Sequence, residues 1–456
     1  MLRKLIALFL LISSFTIAQN TVKGCISPNL KSDWLILYRL EGTRQIFVNN
    51  TTIKKDSLYI NNKIQAVGSF EIALPKNAKI GSYRATYRLE GAGFVDFFYN
   101  KEDVEFIFNP DFPQQSIAFT KSKENKLYKQ YLDDITVVQE KIDSIQVAFL
   151  KNKKVKLDSA YKKAYTAFNK VQSKYESESK NMLIHDFITA SPRINSETIL
   201  NTPDEYLGLI KSTFFDKLDF TNKQLVNSSF LTNRILDYIF YINYADNAKE
   251  QQTLYKKTIT KVLSKIDSKS YKSKIIEFLI GQFETQNNIE IIDYLFNEHY
   301  NKLPINLQNQ QFKKEKEALF AAEIGRIAPD FSWSKNGQNF KLSTLNDAEK
   351  YVLVFWSTGC SHCLREIPQL HSFIKSKSNI KVVAFALEKE AFVWQQYTKA
   401  NLQGWHNVLG LNKWENKTAR TYNINATPSY FVLDKNKKII AKPNEFKDVK
   451  EFINKL

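Results

Sequence analysis

Two thiols stand with two residues between them in the stretch Ser357-Thr358-Gly359-Cys360-Ser361-His362-Cys363-Leu364-Arg365-Glu366-Ile367-Pro368. An apolar run, Tyr351 to Trp356, comes directly before it, and a helical pattern follows. A cysteine at a helix N-terminus faces unpaired N–H groups and a partial positive charge, which stabilise its thiolate and pull its pKa down from about 8.5. Cys360 is therefore the expected nucleophile. Cys363, one turn deeper, is placed to resolve a mixed disulfide by attacking Cys360. His362 lies between them, where an imidazole would further stabilise the Cys360 thiolate. Spacing argues against other uses of the pair. Haem attachment needs His directly after the second Cys, where Leu364 stands. Zinc needs about four ligands, only two Cys are close in sequence, and His371 and His406 would have to arrive unaided, so no metal is expected.

The elements that must position this motif begin near residue 323. Tyr351–Trp356, Lys381–Leu387 and Tyr430–Leu433 read as buried strands with helical stretches between them, so residues 323–456 are expected to form an α/β domain. Upstream the pattern changes twice. Residues 19–120 hold short β-favouring runs, among them Trp34–Tyr38, Gln45–Val48, Ser69–Leu74 and Val104–Phe108, and predict an all-β sandwich. Residues 121–322 turn to helical spacing, as in Leu127, Tyr131, Ile135, Val138 and Ile142. Breaks are expected near Ser191-Pro192, Thr202-Pro203 and Leu303-Pro304. His185 and His299 lack a companion ligand and read as structural.

The 456 residues, 43% hydrophobic, are enough for several packed cores, and 13 Gly with 11 Pro are too few for a disordered chain. The net charge of +18 comes from 65 basic residues, of which ten are Arg. Scattered Lys without the Arg fork argues against a nucleic-acid partner.

Met1–Asn20 reads as a secretory signal peptide: Arg3 and Lys4, an apolar run to about Ile17, then Thr16-Ile17-Ala18, with residues 1–18 removed. The run is short of the ~20 residues that span a bilayer, and no other window approaches that length, so no transmembrane segment is expected after cleavage. Export would place the chain in an oxidising, periplasmic compartment. There are three cysteines, too few for a disulfide-stapled scaffold, and Cys25 reads as a small buried side chain.

Residues 325–456 resemble the thioredoxin-like domain of TlpA/ResA-type thiol-disulfide oxidoreductases and redoxins. The resemblance is carried by Ala328-Pro329-Asp330-Phe331, by Phe355-Trp356 through Cys363, and by Ala426-Thr427-Pro428 through Asp434. It implies a cis-proline facing a redox-active Cys360/Cys363 disulfide, and substrate contacts at Thr427, Pro428 and Trp356. Glu366 resembles the acidic residue common after this motif. Gly359 departs from the family's usual Trp, and Val354 from the buried acid of thioredoxins proper. Residues 21–120 are similar, more loosely, to the β-domain that precedes such redox domains in Bacteroidetes envelope proteins.

The expectation is an exported enzyme exchanging disulfides with protein thiols in the cell envelope, without a cofactor, and recharged by a membrane or periplasmic electron-exchange partner. The alternatives are a non-catalytic envelope binding or scaffold protein on the same fold, and a redoxin-type peroxidase. The latter would want Pro seven residues before the nucleophile, where Leu353 stands.

Overall fold

The structure, a computed structural model, describes residues 20–30, 32–60, 62–88, 93–335 and 337–455. The expected signal peptide lies outside the described residues. The chain divides into two compact units between Leu303 and Pro304.

Among the described residues the first unit opens with nine strands: β1 (Thr21–Ile26), β2 (Trp34–Glu41), β3 (Arg44–Thr52), β4 (Lys54–Ile60), β5 (Lys63–Ala73), β6 (Gly81–Thr86), β7 (Phe94–Tyr99), β8 (Val104–Phe108) and β9 (Ala118–Lys121). They form two sheets, ordered β4-β5-β1-β8-β9 and β3-β2-β6-β7. Alternate residues of both sheets meet in one apolar core, including Val22, Leu37, Phe70, Tyr83, Phe97 and Phe106. This is the all-β sandwich, and its period-two burial is the reason the runs were legible.

Helices follow, among them Lys123–Lys151, Asp158–Glu178, Ala248–Ser264 and Lys269–Thr285. The first is tied to the sandwich by Asn125, whose side chain accepts from Phe98 N at 2.8 Å and donates to Phe98 O at 2.7 Å. Thr202-Pro203 starts a helix, with Thr202 and Glu205 forming a reciprocal capping box. Leu303-Pro304 is the division between the units, and the helix Gln310–Leu319 clusters with the second. His185 Nδ1 lies 2.9 Å from Ser179 Oγ, and His299 packs against the Tyr294 ring.

The second unit is an α/β domain. Its strands are the hairpin β10 (Ser332–Lys335) and β11 (Gln338–Lys341), then β12 (Lys350–Trp356), β13 (Ile380–Glu388), β14 (His406–Leu411), β15 (Ser429–Asp434) and β16 (Ile439–Ala441). The main sheet runs β14-β13-β12-β15-β16, with β12 to β14 parallel and β15 antiparallel to β12. Central β12 is buried on both faces, which explains its unbroken apolar sequence. Tyr351, Leu353 and Phe355 enter one core with Phe331, Phe385 and Phe431. Val352, Val354 and Trp356 enter the other with Cys363, Ile367, Leu370 and Ile374. Those last four residues form one stripe of the helix Ser361–Ile374, so packing on the sheet fixes how the helix presents its N-terminus. Gly410 lets β14 approach its neighbour: a Cβ there would lie 2.2 Å from Phe385 Cε1.

Candidate functional site

The loop after β12 is anchored before it reaches the first thiol. Thr358 N donates to the buried carboxylate of Glu388, at the end of β13, at 2.5 Å. Ser357 Oγ accepts from Gly359 N at 3.2 Å, and Ser357 O accepts from Cys360 N at 3.2 Å. The chain is thus turned sharply so that Cys360 caps the helix Ser361–Ile374, its sulfur accepting from Cys363 N at 3.1 Å. Sulfur takes the place an Asp or Ser oxygen takes at other helix starts.

Cys360 is partly exposed and Cys363 fully buried. Their acidities diverge accordingly. Burial alone raises the Cys360 thiol, but hydrogen bonds from the side chains of Cys363 and Thr427 and from the N–H groups of Cys363 and His362 outweigh it, leaving it below the ordinary thiol value. Burial first, and then the hydrogen bond to Cys360, push Cys363 up to about 12. One sulfur is set to attack from solvent. The other holds its proton until something removes it.

Thr427 and Pro428 close the site from the opposite side. The Thr427–Pro428 peptide bond is cis, and Cys360 Sγ donates to Thr427 O at 3.3 Å. Strand β15 begins directly after, paired to β12, which carries the motif. Two segments 67 positions apart in sequence therefore meet at one sulfur.

Glu366, one turn beyond Cys363, is 6% exposed. Its Oε1 lies 2.7 Å from His362 Nε2, and its Oε2 accepts from Tyr430 O–H and Phe446 N, each at 2.9 Å. A buried carboxylate held on three sides is a built feature rather than a solvated first-turn acid. The His362 ring is directed to Glu366. What His362 gives the Cys360 thiolate is its main-chain N–H.

Trp356 is placed differently from the expectation. It is 0% exposed and packs on Tyr397, ring centroids 5.5 Å apart, so it belongs to the core beneath the motif and offers no surface to a substrate chain. The physical reason is register: Trp356 continues the Val352, Val354 face of β12, which the helix covers. The sequence reading missed Glu388 and Tyr430. Each sits at a strand end facing the motif, and only the parallel pairing of β12 with β13 and the antiparallel pairing with β15 bring them there. Cys25 lies in β1 of the first unit, partly exposed, its thiol raised by burial. Among the described residues no group of three or more His, Cys, Asp or Glu is placed to hold a metal ion.

Residues 323–455 match the family model described as Redoxin. A "Thioredoxin-like protein" of Haemophilus influenzae is 28% identical over 101 residues, covering 22% of this chain and 58% of that protein. The "Thiol-disulfide oxidoreductase ResA" of Geobacillus thermodenitrificans is 25% identical over 147 residues, 30% of this chain and 79% of that one. Among solved structures, a domain of a possible thiol-disulfide isomerase from Cytophaga hutchinsonii is 31% identical, covering 29% of this chain and 92% of that chain, with a TM-score of 0.27. The chain thus spans a little over half the Haemophilus protein, and the residues the family model matches include Cys360 and Cys363. Residues 323–455 form a thioredoxin-like redoxin domain, of the class to which thiol-disulfide oxidoreductases belong.

Proposed function

We propose that the protein is an exported thiol-disulfide oxidoreductase that exchanges the Cys360/Cys363 dithiol and disulfide with protein thiols of the cell envelope. The observation that carries this reading is the split between the two sulfurs: Cys360 partly exposed with its thiolate favoured, Cys363 buried with its proton retained, 3.1 Å between Cys360 Sγ and Cys363 N.

In the reducing direction the Cys360 thiolate attacks one sulfur of a client disulfide, and the client's other sulfur leaves as a thiolate that takes a proton. Cys363 then loses its proton and attacks Cys360 Sγ. The bond between Cys360 and the client breaks, the client's second sulfur leaves as a thiolate, and a Cys360–Cys363 disulfide forms. Two electrons have passed from the dithiol to the client. The oxidising direction is the same path reversed, and a membrane or periplasmic partner restores the starting form. Glu366 is the proton acceptor for Cys363, and His362, half in solvent, carries that proton out. Thr427 and Pro428 supply the backbone beside which a client strand lies.

Export rests on the basic and apolar pattern of residues 1–18 read from the sequence. Among the described residues no helix is long and apolar enough to cross a membrane. The sandwich and the helices up to residue 303 are assigned a docking or spacing role for the redox domain. Deleting residues 21–303 is expected to slow exchange with protein clients; unchanged exchange would remove that role.

The test of the central reading is equilibration of the purified chain against glutathione buffers. A two-electron couple at Cys360/Cys363 is expected. A potential near about −120 to −180 mV assigns it to oxidation or isomerisation, and one near about −270 mV to reduction. A chain with no redox-active dithiol would end the proposal.

A further inference from the structure

We propose that Tyr430 is a positioning residue for the resolving step: together with the first N–H of the helix Phe446–Asn454 it keeps the Glu366 carboxylate in its charged, proton-accepting form, and so sets the pH below which Cys363 no longer resolves the mixed disulfide. This rests on the role of Glu366 proposed above.

Strand register brings the phenol to the acid. Tyr430 pairs with Val354 of β12 and joins the core beneath the helix Ser361–Ile374, with Val352, Val354, Cys363 and Ile367. The side chain is buried, and its O–H ends 2.9 Å from Glu366 Oε2. Burial first, then the Glu366 charge and the hydrogen bond to it, and then any charge on Cys363 and Cys360, oppose ionisation of the phenol, so it stays a donor. Both sulfurs thus lie within electrostatic reach of the hydroxyl.

Glu366 depends on such donors. Among the described residues no lysine or arginine pairs with it; its ion-pair partner is the His362 ring, 2.7 Å from Oε1 and charged only when protonated. A buried carboxylate without a permanent cation keeps its charge through the donors that replace water. Two of these are neutral and meet the same oxygen: Tyr430 O–H and Phe446 N, each 2.9 Å from Oε2. Phe446 opens the helix Phe446–Asn454, whose cap residue Glu445 makes no side-chain hydrogen bond. The Glu366 carboxylate therefore takes one of that helix's free N–H groups, at the positive end of its dipole. The acids at that helix start are Glu445, exposed, and Asp448, whose Oδ2 accepts from Asn444 N at 3.2 Å. Arg365 and Lys447, next in sequence to Glu366 and Phe446, are exposed.

Taking away one donor has a signed consequence. In Tyr430→Phe the ring still fills the core, but Oε2 keeps one donor in place of two. The charged form of Glu366 is then less favoured, its protonation sets in at a higher pH than in the wild type, and the resolving step is lost from that higher pH downward. Tyr430 stands two residues after Pro428, so the segment whose Thr427 carbonyl meets Cys360 Sγ also carries the group that governs the acid.

The test mixes the reduced full chain, carrying Cys25→Ser, with the chromogenic disulfide of thionitrobenzoate in a stopped-flow instrument across a range of pH. The Cys360 thiolate attacks the reagent and releases one thionitrobenzoate; Cys363 then loses its proton, attacks Cys360 Sγ and releases the second as the disulfide closes. The second release, independent of reagent concentration, is the resolving step. In Tyr430→Phe its acid limb is expected to move to higher pH by about one unit, a roughly tenfold slowing on the limb, with the wild-type rate regained at high pH. Phe446→Pro, which removes the other donor at a helix position that tolerates proline, should move the limb the same way. A limb unmoved in Tyr430→Phe, or a slowing equal at every pH, overturns this inference alone; should that variant fail to fold, the same outcomes in Phe446→Pro overturn it. A wild type with no acid limb, or a limb that persists in Glu366→Gln, removes the proton-accepting role of Glu366 and this inference with it. A wild type that releases no thionitrobenzoate overturns the exchange reaction itself.

Discussion

His362 Nε2 stands 2.7 Å from Glu366 Oε1, one helical turn along, with the imidazole half exposed and the carboxylate buried. Tyr430 and Phe446 N hold the other oxygen. Cys363 lies on the same buried side of the helix. In the exchange mechanism proposed above, this pair would carry the Cys363 proton toward solvent.

Removing the carboxylate charge should expose that role. Glu366→Gln keeps the volume and an oxygen for Tyr430, but cannot take the Cys363 proton. Decay of the mixed disulfide is expected to slow by about a hundredfold, and stopped-flow resolution of a trapped complex measures it. Decay at the wild-type rate would remove Glu366 from the mechanism.

His362→Ala separates two roles of one residue. The main-chain N–H that favours the Cys360 thiolate survives the substitution, and only the ring is lost. The pH midpoint of Cys360 alkylation should stay in place while resolution slows, by less than in Glu366→Gln. A midpoint that rises markedly would instead make the imidazole the thiolate's partner.

The pH dependence of alkylation follows from the two opposed shifts. Cys360 lies below the ordinary thiol value, so its rate with iodoacetamide should reach half its plateau at a lower pH than a free cysteine's, and fall as pH drops through that lowered value. Cys363, pushed up to about 12, should stay unmodified in the folded dithiol through neutral pH. Mass spectrometry of the two peptides reads both. Equal labelling of the two thiols at neutral pH would contradict the assignment.

Trp356 should behave as core. Trp356→Ala leaves a cavity under the motif and is expected to cost about 3–5 kcal/mol of stability, seen as a lower unfolding midpoint. A variant of unchanged stability with impaired client exchange would restore a substrate-contact role.

The fold was legible where burial writes a period. The apolar strands β12, β13 and β15 could be read directly, because each packs on cores that tolerate few polar residues. Strand β4, Lys54–Ile60, could not: it is an edge strand, mostly exposed, with the polar run Lys54-Lys55-Asp56-Ser57 followed by exposed Leu58 and Tyr59, so no alternation of burial marks it. In the site, the Cys360–Cys363 spacing and the helix start are local and were readable. Glu388 and Tyr430 act across strand pairings, and the seclusion of Trp356 depends on which face of β12 the helix covers. Such facts are properties of register, which no single segment encodes.

The most direct measurement is a pair of traps. The full chain carrying Cys363→Ser and, separately, Cys360→Ser, each reduced, is mixed with a disulfide-bonded client protein and resolved on a non-reducing gel. Cys363→Ser should accumulate a covalent client complex that thiol releases, and Cys360→Ser should form none. Complexes through both variants alike, or through neither, would contradict Cys360 as nucleophile and Cys363 as resolving thiol.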